Sequence, residues 1–473
     1  MWGLTTTAFT HQRAAIDKLS RLKVGGLFCD MGTGKTRMGI ELVHNRLTRG
    51  KVSRCVWFCP HALKLMAREE ILRHTDCPED QICVFTGRTN ETNIPLDRTW
   101  YIVGLEGVSA SLRVSCTVDM LIAKDSYLVI DESTYIKGHR AIRSKRLLVW
   151  AERAVYKLIM TGTPITQGIE DLYTQMTFLS PRILGYDSWY SFRRKHIAYD
   201  ELRRGLITKR RGGDEIAQKI SPYVYQISKS ECLDLPQKTY QNYTVESTAA
   251  QDMAYQAAKD AFFDDLDTYD PADTGVAIYR LFTSLFSVAC GILPAAQSVG
   301  VTNRRLDNMR VLQLCNLVKN CESSHTIVWV PLIDLVRWIA EDLRAGGQAV
   351  FELHGQIPSD RRHTTIHHWR EGGGTLLATI GTGGHGLTLT EADSVFFYCN
   401  GWKYSDRIQA EDRCHRIGQT KNTLYASVWS SLGIDDRIRR ALERKEDALK
   451  CFIRDVHTLN NNRKAIRSLV KQL

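Results

Sequence analysis

The sequence lacks any long apolar stretch. Its most apolar segment, 326–340, is interrupted by Asp334 and Arg337, so it falls short of the roughly eighteen uncharged residues that a membrane span needs. The first residues carry neither a basic start nor a long apolar core, which argues against a secretion signal. We therefore expect a protein without a membrane span. We expect it to be cytoplasmic, in a nucleoid or viral replication setting, with the nucleus as an alternative.

Cysteine pairs at metal-site spacing are also lacking. The thirteen cysteines are scattered, and no close pair is matched by a second Cys or His pair at zinc-site spacing. The closest pairs are Cys55/Cys59, Cys77/Cys83 and Cys315/Cys321. We therefore expect no structural zinc, and without a secretion signal we expect free thiols in a reducing compartment.

Positive charge is in excess. Lys and Arg number 63 against 52 Asp and Glu, which gives a net charge of +11 and a pI near 9.0. Residues 193–211 carry eight Lys/Arg, residues 252–273 are acidic, and 454–471 are basic again. A basic chain suits a polyanionic partner. Any single run is equally well explained as a solvated helix face.

Short apolar runs alternate with helical patterns over the first 181 residues. A chain of 473 residues is too long for one ordinary core and fits two or three domains. The strand-like runs are 27–29, 55–59, 101–103, 127–130 and 158–160, with helical patterns such as 36–47 and 62–73 between them. This βαβ alternation predicts an α/β fold with a parallel sheet covered on both faces.

The pattern changes after residue 181 and later returns. Residues 182–320 are rich in helical patterns and charge, without convincing βα alternation. Strand-like runs recur at 326–330, 349–353, 375–378, 394–398 and 424–428. We therefore predict four parts: a first α/β lobe (1–181), a helical region with the interlobe linker (182–320), a second α/β lobe (321–435) and a helical C-terminal extension (436–473).

The strongest local motif is a phosphate-binding loop. Its residues Gly32, Thr33, Gly34, Lys35 and Thr36 follow a predicted strand and open a predicted helix, which is the context that a P-loop needs. The glycines let main-chain N–H groups approach phosphate oxygens, and the helix N-terminus favours an anion. The lysine can reach the β and γ phosphates, and the Thr36 hydroxyl can bind Mg²⁺. The strict motif has Gly at position 29, where this chain has Cys29.

A pair of carboxylates ends another predicted strand. Asp131 and Glu132 follow the apolar run 127–130. A P-loop ATPase needs one carboxylate on Mg²⁺ and one that orients or deprotonates the attacking water. Asp131 suits the metal and Glu132 suits the water. This pair and the earlier pair, Lys35 with Thr36, both follow the carboxyl ends of predicted parallel strands. Open α/β folds bind their ligands at that edge of the sheet.

The order of motifs resembles the superfamily 2 helicases, and among them the Swi/Snf-type DNA translocases. The resemblance spans about 9–430, and its most specific part is Gln409 to Gln419, which is similar to motif VI. It implies two RecA-like parallel-sheet lobes of a P-loop NTPase with a helical insertion between them. It also implies ATP and Mg²⁺ as cofactors and an ATP hydrolase as the activity.

The resemblance assigns roles to further residues. Gln12 resembles the glutamine that recognises adenine. Residues 58–64, including Pro60 and Lys64, resemble a DNA-contacting motif. Thr161, Gly162 and Thr163 are similar to the motif that couples hydrolysis to DNA movement. Segment 379–390, with Thr382, resembles motif V.

Motif VI has a physical interpretation of its own. Gln409, Asp412, Arg413 and Arg416 recur at three- or four-residue steps, and on a helix they would share one face. Two guanidinium groups beside a triphosphate stabilise the charge that spreads over the transferring phosphoryl group, an effect on the order of 10³ in rate or more. The alternative is a surface helix with incidental ion pairs, such as Glu411 with His415.

The chain departs from the family pattern in places. Its second carboxylate motif is Asp131-Glu132-Ser133-Thr134, where Ser133 and Thr134 can still donate hydrogen bonds toward the coupling motif. His385 replaces a usually apolar residue of motif V. It could contact phosphate, although a packed loop histidine is the more common case.

These residues together predict a motor. ATP and Mg²⁺ bind the first lobe, closure brings Arg413 and Arg416 to the γ-phosphate, and the lobes step along double-stranded DNA held by its phosphates. Segments 60–64 and 104–109 and Thr382 would supply phosphate contacts. We expect a monomer whose protein partners are unknown. The alternatives are a strand-separating DNA or RNA helicase, and an ATP-gated nucleic-acid-binding switch that displaces bound proteins.

Overall fold

The structure is a computed structural model. It describes residues 2–166, 168–199, 207–268, 274–294, 303–383, 387–458 and 462–473. Parts of two charged runs (200–206 and 269–273) and His385 with its two neighbours lie outside the described residues. The chain divides into two compact units, Met1–Asp234 and Leu235–Leu473. Within the described residues, no helix combines the length and the apolar character that a membrane crossing requires.

The first unit contains strands β1–β9 and helices α1–α11. The strands are β1 Val24–Cys29, β2 Arg54–Cys59, β3 Ile82–Val84, β4 Trp100–Gly104, β5 Ser126–Asp131, β6 Tyr156–Thr161, β7 Ile197–Tyr199, β8 Ile207–Arg210 and β9 Val224–Ile227. The helices are α1 Thr10–Leu19, α2 Lys35–Thr48, α3 Lys64–His74, α4 Leu105–Ala110, α5 Leu112–Leu121, α6 Ile142–Arg153, α7 Asp171–Leu179, α8 Pro181–Leu184, α9 Trp189–His196, α10 Gly213–Ile220 and α11 Lys229–Cys232.

Seven of these strands form one parallel sheet in the order β3-β4-β2-β5-β6-β1-β9. Successive residues of each strand enter two different cores. In β5, Leu128 and Ile130 pack into the core on one face, and Tyr127 and Val129 pack into the core on the other. Burial on both faces explains why the strands are continuous apolar runs.

The second unit contains strands β10–β17 and helices α12–α21. The strands are β10 Lys238–Val245, β11 Ile292–Leu293, β12 Arg304–Arg305, β13 His325–Val330, β14 Val350–Leu353, β15 Gly374–Thr379, β16 Ser394–Phe397 and β17 Thr423–Ser430. The helices are α12 Ala249–Thr268, α13 Thr274–Ala289, α14 Met309–Lys319, α15 Ile333–Ala345, α16 Ser359–Gly372, α17 Ile380–Gly383, α18 Tyr404–Glu411, α19 Gly433–Glu443, α20 Ala448–Thr458 and α21 Arg463–Lys471.

Six of its strands form a second parallel sheet in the order β10-β17-β16-β13-β15-β14. In β13, Ile327 and Trp329 face one core while Val328 and Val330 face the other. The predicted α/β class with two parallel-sheet lobes is confirmed, and so are the predicted strands. Seven strands were not predicted: β3 and β9 in the first sheet, β10 in the second, and β7, β8, β11 and β12, which form two short antiparallel pairs outside both sheets.

Candidate nucleotide-binding and coupling site

The predicted P-loop connects the carboxyl end of β1 to the first turn of α2. Gly32 and Gly34 have φ angles of 81° and 84°, in the left-handed region that favours glycine. A Cβ atom at Gly34 would lie 2.2 Å from Nε2 of Gln12, so a larger residue has no room there. The loop opens a helix of fourteen residues, whose N-terminus attracts anions such as phosphate.

Gln12 is a structural support of this loop. Its Nε2 donates a hydrogen bond of 3.1 Å to the carbonyl oxygen of Thr33, and its Oε1 accepts one of 3.0 Å from the main-chain N–H of Phe9. The ring Nε2 of His11 lies 2.9 Å from the same carbonyl of Thr33. Gln12 is therefore buried and engaged at both ends of its amide, and its contact with adenine stays a prediction.

Lys35 lies over the loop that precedes it. Its ammonium group donates hydrogen bonds of 2.8 Å and 3.1 Å to the carbonyl oxygens of Cys29 and Asp30. The carboxylate of Asp30 in turn accepts a 2.9 Å hydrogen bond from the main-chain N–H of Lys229 at the start of α11. Helix α11 thereby fixes the loop, and Thr36 follows Lys35 in the first turn of α2.

Asp131 is the last residue of β5. Its Oδ1 accepts a 3.0 Å hydrogen bond from the main-chain N–H of Glu132. Burial, together with the neighbouring charge of Glu132, raises the pKa of Asp131 to about 7, while Lys35 opposes this rise. A divalent cation beside the carboxylate would favour its charged form, so this half-buried side chain fits the predicted Mg²⁺ ligand.

The described residues include no cluster of three or more His, Cys, Asp or Glu side chains that could hold a metal ion. Magnesium is commonly bound through one or two protein groups together with substrate phosphates and water. A Mg²⁺ ion on Thr36 and Asp131 would therefore take its other ligands from the nucleotide and from solvent.

Glu132 adopts a left-handed backbone conformation with a φ of 58°, which is uncommon for a residue other than glycine. Its Oε1 accepts hydrogen bonds of 2.7 Å from the Thr134 hydroxyl and 2.8 Å from the Thr161 hydroxyl. Thr161 ends β6 and also accepts a 3.1 Å bond from the main-chain N–H of Thr163. The predicted water-positioning carboxylate is thus bonded directly to the predicted coupling motif.

Gln175 makes a second connection that the sequence did not predict. The Ser133 hydroxyl donates a 2.6 Å hydrogen bond to Oε1 of Gln175, and Nε2 of Gln175 donates 2.8 Å bonds to the carbonyls of Pro164 and Asp171. Gln175 is fully buried on α7. Nothing local in the sequence distinguishes it, because its role depends on two loops that are distant along the chain.

The two predicted DNA-contacting segments of the first unit lie side by side. The carboxylate of Glu106 accepts a 2.8 Å hydrogen bond from the main-chain N–H of His61, which joins 60–64 to 104–109. Pro60 is buried. The ammonium of Lys64 donates to the carbonyl oxygen of Phe85 and is buried, and burial lowers the pKa of Lys64. The structure therefore turns Lys64 inward rather than toward solvent.

In the second unit, motif VI begins on α18. The prediction that residues 409–416 share one helix face was wrong, because α18 ends at Glu411 and only Gln409 lies on it. The chain continues in turns, with the N–H groups of Arg413 and Cys414 bonded to the carbonyls of Ala410 and Glu411 at 3.3 Å and 3.2 Å. Tertiary contacts end the helix: Cys414 is fully buried, and a ring nitrogen of His415 lies 2.8 Å from the carbonyl oxygen of Pro236.

Arg413 and Arg416 adjoin the end of motif V. The carbonyl of Arg413 accepts a 2.9 Å hydrogen bond from the N–H of Leu389, and the guanidinium of Arg416 donates a 3.4 Å bond to the carbonyl of Leu387. Thr382 lies in α17, where its hydroxyl accepts a 3.1 Å bond from that of Thr379. Motifs V and VI therefore form one local structure, with both arginines within it.

Glu411 is a buried carboxylate at the end of α18 that binds several neighbouring side chains. It forms ion pairs with Arg407 at 2.8 Å and Lys238 at 2.9 Å, and accepts a 2.8 Å hydrogen bond from the Tyr240 hydroxyl. Burial alone would raise the pKa of Glu411, but Arg407 and Lys238 hold this pKa below its ordinary value. The ion pairs of this carboxylate are therefore buried and specific, and they fasten α18 to β10.

Comparison with known protein families gives two matches. The P-loop and the carboxylate pair fall within the first match, and motif V falls within the second. Residues 11–286 match the SNF2-related domain, and residues 309–418 match the helicase conserved C-terminal domain. The first of these matches alone covers more than half of the chain.

The chain belongs to the SNF2-related family.

Individual relatives are distant. An uncharacterized ATP-dependent helicase of Mycoplasma pneumoniae is 23% identical over 336 residues, which are 70% of this chain and 31% of that protein. The ATP-dependent DNA helicase DDM1 of Arabidopsis thaliana is 24% identical over 351 residues, 66% of this chain and 43% of that protein. This SNF2-related chain thus spans about a third of the length of the first of these relatives.

The fold is shared with a solved helicase structure. The Hef helicase domain of Pyrococcus furiosus aligns with a TM-score of 0.53 at 13% identity, over 92% of this chain and 98% of that one. At this identity the match shows the fold alone. It agrees with two RecA-like parallel sheets in an SNF2-related chain.

Proposed function

We propose that this chain hydrolyses ATP with Mg²⁺ and uses the energy to move along double-stranded DNA. The observation that carries the proposal is the direct hydrogen bond between Glu132 and Thr161. It connects a carboxylate suited to positioning water with the loop that follows β6. Membership in the SNF2-related family and the helicase names of its relatives support the same activity.

The first unit supplies the binding and positioning groups. The main-chain N–H groups of 32–36 and the ammonium of Lys35 bind the phosphates, and Thr36 and Asp131 hold Mg²⁺. The metal supplies charge neutralisation on the phosphate oxygens. Glu132 orients the attacking water and accepts its proton at a carboxylate oxygen.

The second unit supplies positive charge for the transition state. We propose that Arg413 and Arg416 reach the phosphates of the nucleotide when the protein closes, as arginine fingers do. Hydrolysis then depends on closure, which couples it to movement. Main-chain groups of 60–64 and 104–109, with Thr382, contact DNA phosphates. Because phosphate contacts carry no sequence information, binding is insensitive to sequence and sensitive to salt. We propose that a cytoplasmic monomer carries out this cycle.

The test is the ATPase rate measured without nucleic acid, and with single-stranded DNA, duplex DNA or RNA. Strongest stimulation by duplex DNA is expected. It should be accompanied by displacement of a third strand from a triplex, without separation of a fluorescent duplex. Stimulation by single strands or RNA alone, or separation of the duplex, would overturn the proposal in favour of a strand-separating helicase.

A further inference from the structure

A dense positive surface lies outside the motifs described above. Helix α9 ends in Arg193, Arg194 and Lys195, and β8 with the residue after it contributes Lys209, Arg210 and Arg211. Segments 189–199 and 207–211 contain no acidic residue. We call these six cations the α9–β8 surface. Neither the nucleotide site nor the predicted DNA-contacting segments use it.

Main-chain pairing makes this surface one structural piece. Strands β7 and β8 are antiparallel, with Ile197 opposite Arg210 and Ala198 opposite Lys209. The N–H of Arg211 donates a 2.9 Å hydrogen bond to the carbonyl of His196, the last residue of α9. Phe192 fixes α9 to the core because it is fully buried. The cations are therefore held on a folded platform.

Neighbouring carboxylates neutralise two of the six cations. Arg210 binds Glu170 through two hydrogen bonds of 2.9 Å and 2.6 Å, and Lys195 pairs with Glu215 at 2.6 Å. The guanidinium of Arg193 instead lies 4.8 Å from the centre of the Tyr199 ring.

The other three cations are Arg194, Lys209 and Arg211. All three are exposed, and none forms an ion pair with a carboxylate of the described residues. Tyr190, one helical turn before Arg194, is 62% exposed. Basic side chains clustered on one face are the usual electrostatic footprint of a nucleic-acid-binding surface.

The same surface adjoins the coupling motif. Glu170, the partner of Arg210, immediately precedes α7, and the next residue, Asp171, accepts 2.8 Å hydrogen bonds from the N–H and hydroxyl of Thr166. Gln175 on the same helix is the residue that bonds Ser133 and Pro164. A ligand on β8 would therefore act on the helix that connects the coupling loop to the catalytic carboxylates.

We infer that the α9–β8 surface binds the phosphate backbone of double-stranded DNA through Arg194, Lys209 and Arg211, and that the Arg210–Glu170 pair joins this contact to the coupling loop. The inference rests on the proposed function and adds a second DNA-contacting surface to it. Duplex DNA is the occupant that charge complementarity favours, because its closely spaced phosphates match three exposed cations that have no carboxylate partner in the part of the chain that the structure describes. An acidic protein is the competing occupant.

The first test compares two triple variants with the same reduction in positive charge. One is R194A/K209A/R211A. The other is K23A/R49A/K51A, whose residues are also exposed and lie just before the amino ends of β1 and β2. Binding of a fluorescein-labelled duplex is followed by anisotropy over a range of salt concentrations. Thermal melting confirms that both variants fold.

The surface variant should bind duplex DNA roughly tenfold or more weakly, since each bound phosphate contributes a few-fold to affinity at moderate salt. The slope of log K against log salt should become shallower by about 0.9 for each phosphate that the variant no longer neutralises. The control variant should bind as the unmodified protein does. Equal weakening of both variants would show a general charge effect and overturn the inference.

The second test uses lysine acetylation of the unmodified protein. Lys209 should be protected from an acetylating reagent when duplex DNA is bound, whereas Lys51 should react at the same rate with and without it. If the protein binds duplex DNA and Lys209 is not protected, the inference fails while the proposed function stands. If the protein binds no duplex DNA, both fail. Protection by an acidic polypeptide but not by DNA would assign the surface to a protein partner.

Discussion

The hydroxyl of Thr161 donates a 2.8 Å hydrogen bond to Oε1 of Glu132. Thr161 ends β6, and Glu132 directly follows the neighbouring strand β5. A displacement of the loop after β6 therefore changes the position of Glu132, the carboxylate that we propose orients water. In the proposed cycle, this bond offers a physical route by which DNA movement and ATP hydrolysis become dependent on each other.

The Thr161 hydroxyl gives the first prediction. The T161A variant should retain ATP binding, but its DNA-stimulated ATPase rate should fall about tenfold. A hydrogen bond to a charged group contributes about 1.5–3 kcal/mol, and about 1.4 kcal/mol corresponds to a factor of ten in rate. The T161S variant keeps the hydroxyl and should keep most of the rate. Equal decreases in T161A and T161S would show that the hydroxyl is not the group that matters.

The second prediction separates binding from chemistry. The K35A variant should lose both ATP binding and hydrolysis, because the ammonium that reaches the phosphates is removed. E132A and E132Q should both bind ATP without hydrolysing it. Binding is measured with a fluorescent nucleotide analogue, and turnover by phosphate release. Hydrolysis by E132Q at the normal rate would show that another group positions the water.

The third prediction concerns Arg413. Its removal in R413A should leave ATP binding intact and lower turnover by on the order of 10³, the usual contribution of an arginine finger. R413K should not restore the rate, because an ammonium cannot reproduce the planar fork of a guanidinium. Since Arg413 is buried, melting temperatures of both variants must be compared with that of the unmodified protein. A fully active R413A would remove Arg413 from the mechanism.

Asp131 gives a prediction about stability and pH. Its pKa is raised from 3.8 to about 7 in the folded protein by burial and by Glu132. The folded state then holds a proton that the unfolded state has already released, so stability falls as pH rises between these two values. The D131N variant avoids this decrease.

The melting temperature of D131N, relative to the unmodified protein, should therefore increase as pH rises from about 4 to about 7, and then level off. Thermal melts without nucleotide and without magnesium measure this difference. A difference that does not depend on pH would mean that Asp131 ionises normally in the folded protein.

The fifth prediction concerns the core of the second unit. Arg310 and Asp435 form an ion pair whose side chains are each 1% exposed, and Arg310 also donates to the carbonyls of Tyr398 and Val428. The D435N variant leaves a buried charge without its partner and should lower the free energy of unfolding by about 3–5 kcal/mol.

A matched control lies one residue further along α19. Asp436 pairs with Arg439 and with Arg440, each at 2.7 Å, but the three side chains are 36%, 44% and 68% exposed. D436N should cost less than about 1 kcal/mol, as exposed ion pairs usually do. Urea denaturation measures the free energy of unfolding of both variants. An equal decrease in the two variants would contradict the assignment of Arg310 and Asp435 as a buried ion pair.

The sequence predicted the interior of both sheets because buried parallel strands are apolar on both faces. Leu128 and Val129 face different cores, so their strand shows no alternation and stands out as an apolar run. The edge strand β10 is different. Its only aromatic residues, Tyr240 and Tyr243, stand three positions apart among polar residues, and the strand is largely exposed, so its place depends on pairing with β17 rather than on its own pattern.

Interactions between distant segments account for the parts that the sequence did not predict. Glycine or proline signals the end of many helices, but Asp412 follows α18 and carries no such signal. The bond between His415 and Pro236 and the burial of Cys414 hold that segment in turns. Gln175 acts through two loops that only the folded chain brings to it. The P-loop was predictable because its function is contained in one short segment.

The central claim is that ATP hydrolysis moves this protein along duplex DNA, and the most direct measurement is the ATPase rate at saturating concentrations of duplexes of increasing length. A motor spends a larger share of its time moving on a longer duplex, so the rate should rise with length until it reaches a plateau. A rate that is the same for the shortest duplex that binds and for the longest would contradict translocation and indicate an ATP-gated DNA-binding switch.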